Sequence, residues 1–252
     1  MVSKRIIPCL DIKNGKVVKG INFEGIREVG DAVQMGRRYS DEGADELVFL
    51  DITATIEGRR TFAELVGRIA SEINIPFTVG GGISTLDDAS RLLDAGADKI
   101  SVNSAAIRRP ELIDEVAAKY GSQFVVLAID AKNMDGRWMC TVNGGTVPTE
   151  RELFSWAKEG QERGAGEILF TSMDHDGTKN GYACPQYRQM SSLLSIPVIA
   201  SGGAGSIESI AEVLQDGCAD AALAASIFHY GEISIPELKT ELSQRGIPVR
   251  LI

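Results

Sequence analysis

DELVFLDIT (45–53) returns as GEILFTSMD (166–174), and VGGGIST (79–85) returns as ASGGAGS (200–206). Each stretch is strand-like or ends a strand, and each leads into a turn. Two further echoes keep the same order: LDIKN (10–14) with IDAKN (129–133), and ADKISVNSA (97–105) with ADAALAASI (219–227). All four pairs are displaced by about 120 residues, half the chain, which marks an internal duplication. The echoes fall on strand ends and the turns after them. The chemistry is therefore expected in pairs: two carboxylates, Asp11 and Asp130, and two glycine-rich anion sites.

Working outward, strand-like runs occupy 6–12, 46–52, 76–82, 99–105, 124–132, 167–173, 196–203 and 221–227. Helix-like stretches lie at 31–42, 61–73, 85–95, 110–120, 149–163, 186–194, 206–216 and 235–245. Thr85, Thr149 and Ser206 stand where N-caps belong, and Gly43, Gly96, Gly164, Gly217 and Gly246 stand where helices end. Eight strands alternating with eight helices predict a parallel sheet, and this count in 252 residues predicts a (β/α)8 barrel. A doubly wound open sheet is the alternative. The duplication favours closure, because two four-stranded halves pair both edges with each other. The expectation is one domain over 1–252, with half-barrels at approximately 1–122 and 123–252. Two connections are long, 13–30 and 133–148. The second holds Asp135–Gly136 and Gly144–Gly145 turns suited to a small hairpin. Both leave the C-terminal ends of strands, the face that carries active sites in such barrels, where long loops often serve as lids.

Composition narrows the partners. The net charge is −9 and the basic residues are dispersed, which argues against nucleic acid or an anionic membrane surface. A phosphorylated small molecule needs only local amides and stays open. Cys9, Cys140, Cys184 and Cys218 form no Cys-x-x-Cys pair and are expected as free thiols in a reducing compartment. The apolar run in MVSKRIIPCLDIK is too short for a secretory signal, and no stretch reaches membrane length. A cytoplasmic protein is expected. With only His175 and His229, a histidine-rich metal site is excluded, and no metal or other cofactor is expected.

Residues two apart on a strand share a face. Arg5, Ile7, Cys9 and Asp11 share one on strand 1, and Val126, Ala128 and Asp130 share one on strand 5. If these faces point inward, the two aspartates stand on opposite sides of the barrel mouth. Paired acids there suit general acid and general base catalysis; structural aspartates that cap turns are the bland alternative. Gly80–Gly82 and Gly202–Gly203 each lead into a Ser/Thr-capped helix, where backbone amides can approach an anion. Asn103–Ser104 and Ala225–Ser226 complete the two sites. Two such sites on opposite sides imply a substrate with a phosphate at each end. Arg5, Glu46, Lys99 and Glu167 open strands 1, 2, 4 and 6 at the far end of the barrel. Taken alone, they read as rim residues or a structural ion-pair plug. Cys9 reads as core, His229 as structural, and His175, in SMDHDGT, as a possible substrate contact.

IIPCLDIKNGKVVKG, DELVFLDITAT, PFTVGGGI, AIDAK, GAGEILFTSMDHDGTKNGY, IASGGAG and ADAALAASIFH resemble the cyclase subunits of imidazole glycerol phosphate synthase, over essentially the whole chain. The resemblance implies a (β/α)8 barrel that forms a heterodimer with a glutamine amidotransferase subunit. The barrel would combine the ammonia released there with a bisphosphorylated substrate, phosphoribulosyl formimino aminoimidazole carboxamide ribonucleotide. The products would be imidazole glycerol phosphate and aminoimidazole carboxamide ribonucleotide, in histidine biosynthesis. It implies catalytic roles for Asp11 and Asp130. It implies phosphate contacts at Gly82, Asn103 and Ser104 and at Gly203, Ala225 and Ser226, and a site lined by Lys19, Asp51, Thr171, Asp176 and Ser201. It turns the ring of Arg5, Glu46, Lys99 and Glu167 into an ammonia gate. His175 departs from the pattern, since relatives more often carry arginine. The sister isomerase that makes this substrate, and an idle barrel that only activates the amidotransferase, are the rivals. The ring and the SMDHDGT loop count against the first, and Asp11 and Asp130 against the second.

Overall fold

A computed structural model describes residues 2–21, 24–52 and 56–251, and their side chains except at 19–21, 24–27 and 56–61. In chain order the elements are β1 (Arg5–Lys13), β2 (Lys16–Ile21), β3 (Glu24–Asp31), α1 (Ala32–Asp41), β4 (Leu47–Asp51), α2 (Ile56–Ala70), β5 (Phe77–Gly80), α3 (Leu86–Asp94), β6 (Lys99–Val102), α4 (Ser104–Arg108) and α5 (Glu111–Tyr120). The second half continues with β7 (Val125–Met134), β8 (Arg137–Val142), β9 (Val147–Glu152), α6 (Leu153–Glu162), β10 (Glu167–Ser172), α7 (Cys184–Leu193), β11 (Val198–Ser201), α8 (Ile207–Gln215), β12 (Ala221–Ala224), α9 (Ser226–His229) and α10 (Ile235–Gln244).

Parallel pairing runs β1–β4–β5–β6–β7–β10–β11–β12 and returns to β1. The sheet is a closed (β/α)8 barrel, as the alternation of elements predicts. Strand parity sorts the core into two parts. Ile7, Cys9, Val48, Val126, Leu169, Ile199, Ala221 and Leu223 fill the interior. Ile6, Leu10, Leu47, Phe49, Leu127, Ile168 and Phe170 face the helices in the larger outer core. Closure leaves the barrel strands no free edge. Among the described residues no helix is long and apolar enough to cross a membrane.

The duplication extends into details of the backbone. Thr85 and Ser206 cap α3 and α8 with reciprocal capping boxes. Asp31 caps α1, and its counterpart Glu152 caps α6 by accepting from Ser155 N at 2.9 Å. Each half also carries a hairpin after its first strand. Asn14–Gly15 joins β1 to β2 with φ of 52° and 77°, and Asp135–Gly136 joins β7 to β8 with φ of 52° and 84°. Positive φ at both central residues is the two-residue turn whose twist matches paired strands. The sequence reading expected the second hairpin and treated 13–30 only as a long connection.

Several boundaries differ from expectation; the helix expected over 61–73, for example, runs Ile56–Ala70. The helix expected over 149–163 begins at Leu153, because Val147–Glu152 form β9 on the edge of β8. Thr149 does not cap a helix: its hydroxyl donates to Cys140 O at 2.8 Å and accepts from Arg151 N at 3.2 Å. The strands expected to reach 105 and 227 stop at Val102 and Ala224, where α4 and α9 take over. After α8 the left-handed residue is Cys218, φ 60°, and not Gly217. Its counterpart is Gly96, so one inserted residue at Gly217 lengthens the displacement between the halves from there on. Gly43, Gly96, Gly164 and Gly246 all take positive φ after their helices, as expected.

Candidate active site

The site is built at the C-terminal ends of the barrel strands. β1 and β7 lie four strands apart in either direction round the ring. Asp11 and Asp130 share the parity of interior residues, so the two half-buried carboxyls face the mouth from opposite sides. Asp130 is the better defined. Asn103 Nδ2 donates to its Oδ2 at 2.9 Å, and Thr171 lies beside it in the β7–β10 register. Burial above all, with the neighbouring Asp176 adding to it and the contacts from Asn103 and Thr171 opposing both, leaves the Asp130 carboxyl raised to about 6. A carboxyl so placed shares protonated and ionised forms near neutrality, the condition for an acid catalyst.

Two glycine turns flank this pair. Gly81 and Gly82 take φ of 99° and 66°, and Gly202 and Gly203 take 86° and 108°. A Cβ on Gly81 would lie 2.0 Å from Asp51 O, and one on Gly202 would lie 2.6 Å from Ser172 O. Asp51 and Ser172 are themselves counterparts. Each turn thus folds back onto the end of the preceding barrel strand, which only glycine permits. Next to each turn a short helix starts with no side-chain cap: α4 after Asn103 and α9 after Ala225. Their first amides are left for another partner. Ser104 Oγ accepts from Asn143 N at 3.0 Å, which ties the β8–β9 loop to this corner. Gly202→Ala is expected to destabilise by at least about 2 kcal/mol, since the left-handed penalty adds to a backbone clash. Urea midpoints of the variant and parent check it, and an unchanged midpoint would contradict the turn geometry.

The two turns are not equally covered. Gly81 and Gly82 are exposed, whereas Gly202 and Gly203 are buried. Over the second turn, Gly181 N donates to Gly203 O at 2.9 Å and His175 packs beside Gly203. His175 Nδ1 is 2.7 Å from Ser172 Oγ, which holds the ring at this corner. Ser201 is buried; its amide donates to the Tyr187 hydroxyl at 3.0 Å, and that hydroxyl contacts Ser201 O at 2.8 Å and Phe170 O at 2.9 Å. Tyr187 went unnoticed in the sequence, where a tyrosine on a helix face looks like core. Asp51 shares the parity of Leu47 and Phe49. It closes its strand beside Gly81 and Gly82 on the helix side, lining a cavity there with Ile83 and Arg91. Lys19 lies on β2, and its side chain is outside the described residues.

At the opposite end the four charges close into a cycle. Arg5 donates to Glu46 at 2.8 Å and to Glu167, and Lys99 donates to Glu46 at 2.8 and 3.1 Å and to Glu167 at 3.0 Å. Thr78, which the sequence did not single out, adds a bond to Glu46 at 2.9 Å. Burial alone would lower the Arg5 guanidinium, but Glu167 and Glu46 more than offset it and hold it above its usual value. Glu46 and Glu167 are counterparts in the duplication, whereas Arg5 and Lys99 answer to Phe124 and Ala221. The two acids are repeated and the two bases are not.

A family model described as "Histidine biosynthesis protein" matches residues 5–234. The chain belongs to this histidine biosynthesis family. Among similar members is the imidazole glycerol phosphate synthase subunit HisF of Bacteroides fragilis (strain YCH46), 63% identical over 250 residues that span 99% of this chain and 100% of that protein. The subunit HisF of Phocaeicola vulgatus is 62% identical over 251 residues, covering 100% of both chains. That of Flavobacterium johnsoniae is 59% identical, also over 251 residues and 100% of both. Similarity to these family members therefore extends over the mouth, both glycine turns and the charged cycle alike.

Proposed function

We infer that the chain is the cyclase subunit of imidazole glycerol phosphate synthase, a lyase of histidine biosynthesis. It uses ammonia to convert phosphoribulosyl formimino aminoimidazole carboxamide ribonucleotide into imidazole glycerol phosphate and aminoimidazole carboxamide ribonucleotide. The observation that carries this reading is the pairing at the mouth: two opposed carboxyls, each half contributing one, between two glycine turns of the same build. Asp130 acts as general acid on the leaving carboxamide, and Asp11 as general base during ring closure. Gly82, Asn103 and Ser104 hold one phosphate; Gly203, Ala225 and Ser226 hold the other. Lys19, Asp51, Thr171, Asp176 and Ser201 line the site.

A glutamine amidotransferase subunit docks at the face opposite the mouth and supplies ammonia through the cycle of Arg5, Glu46, Lys99 and Glu167. The chain works in the cytoplasm as one domain made of the half-barrels 1–122 and 123–252. The naming of the relatives as HisF favours this reading over the sister isomerase. Crystals grown in sulfate or phosphate test the bisphosphate claim. Anions are expected at both Gly82/Asn103/Ser104 and Gly203/Ala225/Ser226, because the amides there are preformed. An anion at only one of them would contradict the claim that both ends of the substrate are held alike.

A further inference from the structure

The two halves differ where the glycine turns leave the barrel. In the first half, β5 and β6 pair at Thr78–Lys99 and Val79–Ile100 and continue to Gly80–Ser101. In the second, β11 and β12 pair at Ile199–Ala221 and Ala200–Ala222 and stop there. The pair that would come next joins Ser201 to Leu223. Leu223 and Ala224 stay in register with Ile7 and Pro8 of β1, so it is the β11 side of β12 that opens. The two strands part just below Gly202–Gly203 on one and Ala225–Ser226 on the other.

Buried backbone groups at such a gap need other partners, and two tyrosines supply them. Tyr187, in the first turn of α7, is fully buried. Its hydroxyl accepts from Ser201 N at 3.0 Å, and its proton reaches Ser201 O at 2.8 Å and Phe170 O at 2.9 Å. Tyr182, just ahead of α7, is buried beside it, with ring centres 6.4 Å apart. Its hydroxyl donates to Leu223 O at 3.0 Å. One short segment thus fastens the ends of β10, β11 and β12. In the first half the position that matches Tyr187 holds Val66, which has no hydroxyl to offer, and there the Gly80–Ser101 pair carries the ladder on. We propose that Tyr182 and Tyr187 are positioning residues for the second phosphate: they hold β11 and β12 apart at Ser201 and Leu223, so that amides following both strands converge on one anion. The proposal rests on the cyclase reading, which puts a phosphate at Gly203, Ala225 and Ser226. Each hydroxyl is engaged with backbone and acts through a strand end. Removing one leaves a buried backbone group unmade, which the strand end must shift to satisfy.

The test compares the full-length parent with Tyr187→Phe, Tyr182→Phe and Tyr120→Phe, all of which keep the ring. Tyr120→Phe is the control, since it removes a hydroxyl that meets Ser90 at 2.6 Å between α5 and α3. Crystals are equilibrated with graded inorganic phosphate, and occupancy is read at each glycine turn separately. In Tyr187→Phe and Tyr182→Phe the half-saturating concentration at Gly203/Ala225/Ser226 should rise roughly three- to tenfold, the scale of one hydrogen bond. At Gly82/Asn103/Ser104 it should keep the parent value. In ammonia-dependent turnover the same two variants should raise KM more than they lower kcat, and Tyr120→Phe should change neither. Weakening at both turns alike, or at neither, in a folded variant overturns the proposal. If Tyr187→Phe fails to fold, Tyr182→Phe decides by the same readings. Failure of the cyclase reading looks different: the parent itself would take no phosphate at the second turn, and the proposal would fall with it.

Discussion

Replacing Asp130 by asparagine is expected to lower ammonia-dependent turnover by about 10²-fold or more, the usual scale for losing a general acid. Asparagine keeps the size of the side chain and can still meet Asn103 and Thr171, so the barrel should remain folded. What it cannot do is deliver a proton. The carboxyl it replaces sits at about 6 because burial and Asp176 favour the neutral form against contacts from Asn103 and Thr171 that favour the charged one. Activity that depends on the protonated form is held below this value and falls as pH rises through it, until bound phosphates shift the balance upward. Asp11→Asn should cost a similar factor. Steady-state assays with free ammonia check both, and near-parent turnover of either variant would remove that residue from the chemistry.

Replacing Lys99 by alanine is expected to have the second large effect, on stability and on coupling together. Lys99 binds both Glu46 and Glu167, whose side chains are 3% and 7% exposed. Without it the two acids face each other with Arg5 and Thr78 alone. Breaking a buried pair from one side costs about 3–5 kcal/mol. The lower figure applies here, because Arg5 remains and Lys99 is itself partly wet. Denaturation midpoints read that cost. The same change should impair glutamine-dependent synthesis, or uncouple glutamine hydrolysis from cyclisation, while sparing the reaction fed by external ammonia at the mouth. Ammonia is neutral and small, so a narrow polar neck above a packed interior can pass it. Equal loss of both activities would mean that the cycle only holds the fold together.

The barrel was legible because its signals are local and repeated. A buried parallel strand must be apolar and β-branched, its end must turn, and the helix that follows needs a cap; the sequence carries these marks in both halves. The charged cycle was legible as a set, since Arg5, Glu46, Lys99 and Glu167 share interior parity, but its closed order depends on which strands are neighbours. Thr149 misled because a threonine ahead of Glu-Arg-Glu suits a helix start, and only the β8 edge makes Val147–Glu152 a strand. The first hairpin was missed although Asn14–Gly15 is a strong two-residue turn signal. Tyr187, Thr78 and the bond from Asn103 to Asp130 depend on contacts between elements far apart in sequence, which no local pattern encodes.

The most direct test of the account is to mix the purified full-length chain with the bisphosphorylated formimino substrate and an ammonium salt, without any partner, and to follow both products. The account predicts that imidazole glycerol phosphate and aminoimidazole carboxamide ribonucleotide appear in equal amounts, and that D11N and D130N slow the appearance of both by about 10²-fold or more. Consumption of the substrate without the imidazole product, or no reaction from the folded barrel, would contradict it.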